Sequence, residues 1–346
     1  MMDPEVCLLL DCAHWSGLRE HQVQVELSDR FNRQTDPLLE QHINQVWTER
    51  LSKEPWLFNG AKFRLHSFCL DSPENLGCFQ SDCGEQQAGD AAQHSGDFIN
   101  GCTLQTEDGG GDSQKISQPK HRPGSVLTLR LGLTCYKDYL GTNWSGEVAE
   151  LRRRGQEFGD PLALLAQPLG VGAVLCTCDG QVVFIRRSQK VAEAGGLLDI
   201  PGGHPEPKAV CERLGKAAGE EQISLVMMQQ RPDAVVSELF SSICAEIRDE
   251  INIPLSSLGA PVLMGIALNN TSAGRPSSEF YISCSLSSDE VRTLYWKGGA
   301  EASESTDVVF LSTTEVMQLN RSSPLWSEMC PSAKGAMLLY QVVKPG

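Results

Sequence analysis

Residues 197–254 constrain this chain more than any other stretch. They open with L-L-D-I-P-G-G-H-P-E-P over 197–207, a strand end running into a Gly-Gly turn. They close with V-S-E-L-F-S-S-I-C-A-E-I-R-D-E-I-N-I-P over 236–254, which has the periodicity of a helix. Asp233, after Pro232, is placed to cap the first amides of that helix. Asn252 tolerates the left-handed C-terminal position and Pro254 cannot continue a helix, so the helix ends there. Leu239, Phe240, Ile243, Cys244, Ile247 and Ile251 form its apolar stripe.

The carboxylates of this helix separate into two groups. At about 100° per residue, Glu238 and Asp249 fall away from the stripe, whereas Glu246 and Glu250 lie on its edge one turn apart. A carboxylate at the edge of a core is costly to desolvate unless a cation meets it. A Lys or Arg pair, or stems lying flat with heads in water, would satisfy one such Glu. Two of them beside P-G-G-H-P-E favour a shared divalent cation. Mg2+ takes one or two carboxylates and completes its shell with water and substrate phosphate oxygens.

E-I-R-D-E-I-N-I over 246–253 resembles the second half of the Nudix box, G-x5-E-x7-R-E-U-x-E-E-x-G-U with U apolar. Glu246, Asp249 and Glu250 fall on its acidic positions, and Ile247 and Ile253 on apolar ones. Ala245 stands at the Arg position, Asn252 at the Gly position and Ala209 at the first Glu position. Further segments resemble Nudix hydrolases acting on UDP-glucose and UDP-galactose: P-W-L-F at 55–58, T-C-Y-K-D-Y-L-G-T-N-W at 134–144, D-I-P-G-G-H-P-E-P, T-S-A-G-R at 271–275 and C-P-S-A-K-G-A at 330–336. The resemblance implies an α/β fold, a Nudix α/β/α sandwich with a mixed sheet, and Mg2+ (or Mn2+) held by Glu246 and Glu250. It implies hydrolysis of a nucleotide-sugar diphosphate to UMP and a sugar 1-phosphate. Two rivals stay open: a weak or inactive nucleotide-sugar sensor, which the missing Arg and Glu favour, and a hydrolase of another diphosphate such as ADP-ribose.

The chain has 346 residues, enough for two domains. We expect a smaller N-terminal α+β domain over 1–159 and the Nudix domain over 160–346. A net charge of −15 argues against a nucleic-acid or anionic-membrane surface. The thirteen cysteines form no C-x2-C pair, so reduced thiols in a cytoplasmic (or nuclear) protein are expected rather than a disulfide framework. No signal peptide or membrane span is legible. Residues 81–123, polar and Gly-rich, are expected to be a disordered insert. Residues 208–232 read as a second polar insert, with a helical fragment at V-M-M-Q-Q.

Strands are expected over 6–10, 23–27, 62–70, 126–133, 171–175, 182–186, 262–268, 280–286 and 308–311, and helices over 37–53, 289–296 and 332–343. Phe58 and Tyr136 are ordinary packing aromatics on local grounds; the resemblance makes them a wall for a uracil ring. Arg187 ends a strand, where a fork can meet a diphosphate, and the resemblance favours it over Arg186. Asp199, His204 and Glu206 surround the glycine turn, where they can accept sugar hydroxyls, hold metal-bound water or stabilise the turn. Ser332 either caps its helix or helps that helix N-terminus bind a phosphate or sugar oxygen. Glu279 is read at the mouth of a strand, as a further carboxylate near the metal.

Overall fold

The computed structural model describes residues 3–70, 124–189, 193–216, 219–301 and 303–345. The expected insert over 81–123 lies outside the described residues. Two sheets organise the rest. The larger has strand order β1-β9-β10-β5-β6-β11, built from β1 (Val6–Asp11), β5 (Gly170–Cys176), β6 (Gln181–Arg187), β9 (Val262–Asn269), β10 (Arg275–Ser283) and β11 (Ser305–Ser312). Two short strands join it, β7 (Leu198–Asp199) on β6 and β8 (Gly202–Gly203) on β5. The β10–β5 pair is parallel and its neighbours are antiparallel, so the sheet is mixed. The smaller sheet runs β2-β4-β3, from β2 (Val23–Leu27), β3 (Ala61–Leu70) and β4 (Leu127–Cys135). The N-terminal strand β1 pairs with β9, from Val6 opposite Asn269, so the larger sheet draws one strand from before residue 160.

Eight helices pack around the sheets among the described residues: α1 (Pro37–Lys53), α2 (Tyr136–Gly141), α3 (Val148–Gly155), α4 (Pro207–Arg213), α5 (Pro232–Ile251), α6 (Ser288–Lys297), α7 (Thr313–Gln318) and α8 (Pro331–Val343). The sheet strands alternate, and the two faces find different partners. Val171, Ala173 and Leu175 of β5 join the core built on α5. Val174 and Cys176 join the core built on α8. With a helix layer on each face of a mixed sheet, the fold is α/β.

The expected stripe of α5 is buried at Leu239, Phe240, Ile243, Ile247 and Ile251, with Cys244 half-buried. Each of those large side chains contributes about 1.5–3 kcal/mol by leaving water. The helix stops as its sequence predicts: Asn252 is left-handed, at φ 67°, and its amide closes on the Arg248 carbonyl. Its start differs. Arg231, not Asp233, is the N-cap residue and no side chain caps it; Asp233 lies in the first turn, 3.1 Å from Arg231.

One larger correction concerns the back of α5. The same core that joins it to β5 also contains Val23, Val25, Phe63, Leu65, Leu129 and Leu131 of the small sheet, so α5 runs between the two sheets. The segment 208–232 is not a featureless insert either. It carries most of α4, with Val210 and Cys211 buried, and further on Leu225 and Met228 are buried as well. The V-M-M-Q-Q fragment is a single turn over Leu225–Met227.

Candidate active site

The site forms where β5 and β6 part and the 198–204 loop enters between them, pairing β7 to β6 and β8 to β5. Glycine is required there. A Cβ added at Gly203 would overlap the Glu246 carboxylate. With hydrogen instead, the loop backbone lies directly against α5. The Gly202 amide donates to Glu250 Oε2 at 3.1 Å, and the His204 amide donates to the Glu246 carboxylate. Both expected metal carboxylates therefore point at the glycine turn.

Their electrostatics are those of two anions sharing a poorly solvated place. Burial pushes the Glu246 carboxyl up to about 7, and the neighbouring Glu301 adds to the effect. Glu250 is 5% exposed. Burial raises its carboxyl well above the ordinary range, and the charges of Glu246 and Asp199 push the same way. Such a pair holds protons unless a cation replaces them. Among the described residues no group of three or more His, Cys, Asp or Glu could hold a metal ion. Two carboxylates, with water and substrate phosphates completing the shell, are what Mg2+ accepts. The donor set thus fits a hard divalent cation.

A second cluster lies beside the first. Arg187 Nη1 is 2.9 Å from Asp199 Oδ2, and Asp199 Oδ1 accepts from Ser332 Oγ at 2.9 Å and from the Ile200 amide at 2.9 Å. The structure thus joins Arg187, Asp199 and Ser332, from three separate segments. Ser332 is not the cap of α8: Cys330 is the N-cap residue, Pro331 follows, and the serine hydroxyl is spent on Asp199. Arg187 also donates from Nε to the Glu193 carbonyl at 3.1 Å.

The remaining expected residues spread out. His204 is held well below its ordinary pKa by burial, then by the charges of Lys62 and Arg275, so its imidazole is neutral. Glu206 is the N-cap residue of α4, largely exposed, with its carboxylate 3.5 Å from Lys62 Nζ. Tyr136 opens α2, edge-on to Trp47 and stacked on Tyr139 at 6.3 Å between centroids. Phe58 is 69% exposed and its ring lies over Gly60.

Two carboxylates contradict the helical-wheel and strand readings. Glu238, placed away from the core by its angle, is buried: it accepts from the Glu206 amide at 3.1 Å and pairs with Arg213 at 2.7 Å. Arg213 belongs to α4, which covers that side of α5. Glu279 is not at a strand mouth. It sits inside β10 opposite Gly172, fully enclosed, and the Ser277 hydroxyl is the group that most opposes the effect of burial on it. Burial pushes its carboxyl up to about 8, so it is largely protonated at neutral pH.

Three residues that join the site were missed by sequence reasoning. Tyr139 donates from its hydroxyl to Glu193 Oε1 at 2.5 Å. Arg275 lies 3.5 Å from Glu193 Oε2, with its guanidinium over the Tyr139 ring at 5.7 Å. Tyr139 and Arg275 belong to two of the segments that carry the resemblance; nothing local to Glu193 marked it.

No family model matches the chain. Curated relatives do. The human protein named uridine diphosphate glucose pyrophosphatase NUDT22 is 44% identical over 344 residues, 99% of this chain and 94% of the relative. The chain belongs to the Nudix hydrolase family. The Arabidopsis thaliana protein named Nudix hydrolase 9 is 32% identical over 320 residues, covering 92% of this chain and 86% of that one. Among solved structures, the MutT protein of Methanosarcina mazei covers 51% of this chain at 13% identity, with a TM-score of 0.30. Glu246 and Glu250, which fall on two of the acidic positions of the box pattern, are the pair that meets the Gly202 and His204 amides.

Proposed function

We propose that this chain hydrolyses the diphosphate of UDP-sugars, UDP-glucose and UDP-galactose among them, to UMP and a sugar 1-phosphate. The relatives named uridine diphosphate glucose pyrophosphatase, 44% identical over nearly the full length, support the substrate class. The observation that carries the chemistry is the convergence of Glu246 and Glu250 on one glycine turn. A divalent cation, Mg2+ or in its place Mn2+, would be held by these two carboxylates. The chemistry it would supply there is charge neutralisation of the diphosphate and a more acidic water for attack on phosphorus.

The chain's own residues do the rest. The Gly202 and His204 amides fix the two carboxylates in place. Asp199, anchored by Ser332 and the Ile200 amide, aims the Arg187 fork at the same end of the sheet, where it can meet a phosphate. Neutral His204 and the carboxylate of Glu206 border the turn and offer hydrogen bonds to sugar hydroxyls. Tyr136 and Phe58 are the aromatic candidates for the uracil ring. Charge neutralisation and positioning supply most of the acceleration in such a scheme.

The ten cysteines among the described residues are free, and no described helix is long and apolar enough to cross a membrane. The free thiols support a reducing compartment, the cytoplasm or nucleus, for the reaction. The test is a panel of nucleotide diphosphates with Mg2+, resolved by chromatography. UMP and glucose 1-phosphate from UDP-glucose, faster than AMP from ADP-ribose, is the expected result. Preference for ADP-ribose refutes the substrate class, and tight UDP-glucose binding without turnover marks a sensor.

A further inference from the structure

The contacts of Glu193 are those of an anion bound in a prepared place. One carboxylate oxygen accepts from the Tyr139 hydroxyl at 2.5 Å, and the other faces the Arg275 guanidinium at 3.5 Å. The guanidinium lies over the Tyr139 ring. The Glu193 carbonyl takes the Nε donor of Arg187. A hydroxyl donor and a fork thus meet the Glu193 carboxylate while a second fork holds its backbone, and each is a group that binds phosphate oxygens.

The receiving groups are anchored by packing and by buried hydrogen bonds. Tyr139 is buried and stacked against Tyr136. Arg275 follows two residues in the left-handed region, Ala273 at φ 56° and Gly274 at φ 73°. That bend is anchored from below: Asn143 donates to the Ser272 carbonyl at 3.2 Å and to Gln167 at 2.9 Å, in a fully buried polar cluster. The charge of Arg275 also reaches His204 and Glu279, so this place borders the glycine turn and its carboxylates. Glu193 itself sits on a connection between β6 and β7, followed by Ala194 at φ 52° and two glycines.

We propose that Tyr139 and Arg275 form an anion subsite for the substrate's diphosphate, and that the Glu193 carboxylate fills it in the free protein as an internal competitor. This rests on the reading of the chain as a diphosphate hydrolase. Substrate then binds by exchange: a phosphate oxygen takes the Tyr139 hydroxyl and the Arg275 fork while Glu193 turns out to water. The arrangement restricts the subsite to ligands carrying more negative charge than one carboxylate.

The experiment measures the affinity of inorganic diphosphate by calorimetry in Mg2+, with melting temperature alongside. Arg275→Gln is expected to weaken diphosphate binding at least tenfold. Glu193→Gln keeps an acceptor for Tyr139 but loses the charge. It is expected to tighten diphosphate binding severalfold, most at low salt. In the double variant the benefit of Glu193→Gln is expected to vanish, because its target is gone. Equal or weaker binding by Glu193→Gln overturns the competitor role, and a lower melting temperature with it makes the residue a structural pin. Unchanged binding by Arg275→Gln overturns the subsite. If the variants behave as expected while the wild type turns over no UDP-sugar, the subsite stands and the substrate assignment falls.

Discussion

Glu246→Gln tests the carboxylate pair without needing turnover. In metal-free protein the folded state holds the Glu246 proton up to about pH 7, whereas the unfolded chain releases it near 4.5. Between those values the folded state binds more protons, so stability falls as pH rises through the window and is flat above it. The span from 4.5 to about 7 corresponds to about 3 kcal/mol at 1.36 kcal/mol per tenfold change in proton affinity. Glu246 is half-buried, and solvent screening brings the expected effect to about 1–2 kcal/mol. Glutamine keeps an acceptor for the His204 amide and removes the charge. In EDTA the variant is therefore expected to match wild type at pH 4.5 and exceed it by about 1–2 kcal/mol at pH 8. Added Mg2+ is expected to reverse the order by stabilising wild type in proportion to the logarithm of its concentration. Urea unfolding from pH 4.5 to 8.5, with and without Mg2+, reads both effects. A difference that ignores pH would show that Glu246 is well solvated. A variant stabilised by Mg2+ as much as wild type would remove the residue from the metal site.

Two further substitutions probe the packing behind the site. Gly203→Ala places a methyl group on the Glu246 carboxylate, so hydrolysis is expected to fall at least about tenfold through displacement of that side chain, with little change in melting temperature; normal kcat/KM would show the contact is dispensable. Glu238→Ala strips the Glu206 amide of its acceptor and Arg213 of its partner, and is expected to cost about 2–3 kcal/mol by urea unfolding. Glu238→Gln, which retains the acceptor, is expected to lose less than half as much; wild-type stability in both would mean that α4 does not hold α5.

The residues of α5 were legible because one helix encodes its own period, its stop at Asn252 and the edge position of Glu246 and Glu250. The same wheel misplaced Glu238, because it assumes a single buried face. Here the small sheet and α4 cover the other sides of the helix, and α4 arises from a stretch whose composition hides it. Glu279 was misplaced for a related reason. Both faces of the larger sheet are covered, so alternation around Phe280 does not say that its neighbour meets water. The contacts of Glu193 with Tyr139 and Arg275 span 54 and 82 residues, beyond any local pattern. Asp199 with Ser332 spans 133; the glycine turn and the helix start each marked one of them, but not their contact.

The departures from the Nudix box acquire a physical sense once the second sheet is in view. Ala245 leaves α5 without the cation that the pattern places beside Glu246. Lys62, from β3 of the small sheet, supplies positive charge there: it bears on Glu246 and His204 and sits 3.5 Å from Glu206. Ala209, at the position of the pattern's first Glu, lies in α4, and one of that helix's two cations, Arg213, is committed to Glu238. The small sheet is thus more than a cover for α5. Its strand carries a charge that the box has lost, and the segment that stretches the box supplies the helix that buries Glu238. A box judged by its own residues looks depleted. With the small sheet and α4 folded against it, Glu246 has Lys62 in range and Glu250 keeps its hold on the glycine turn.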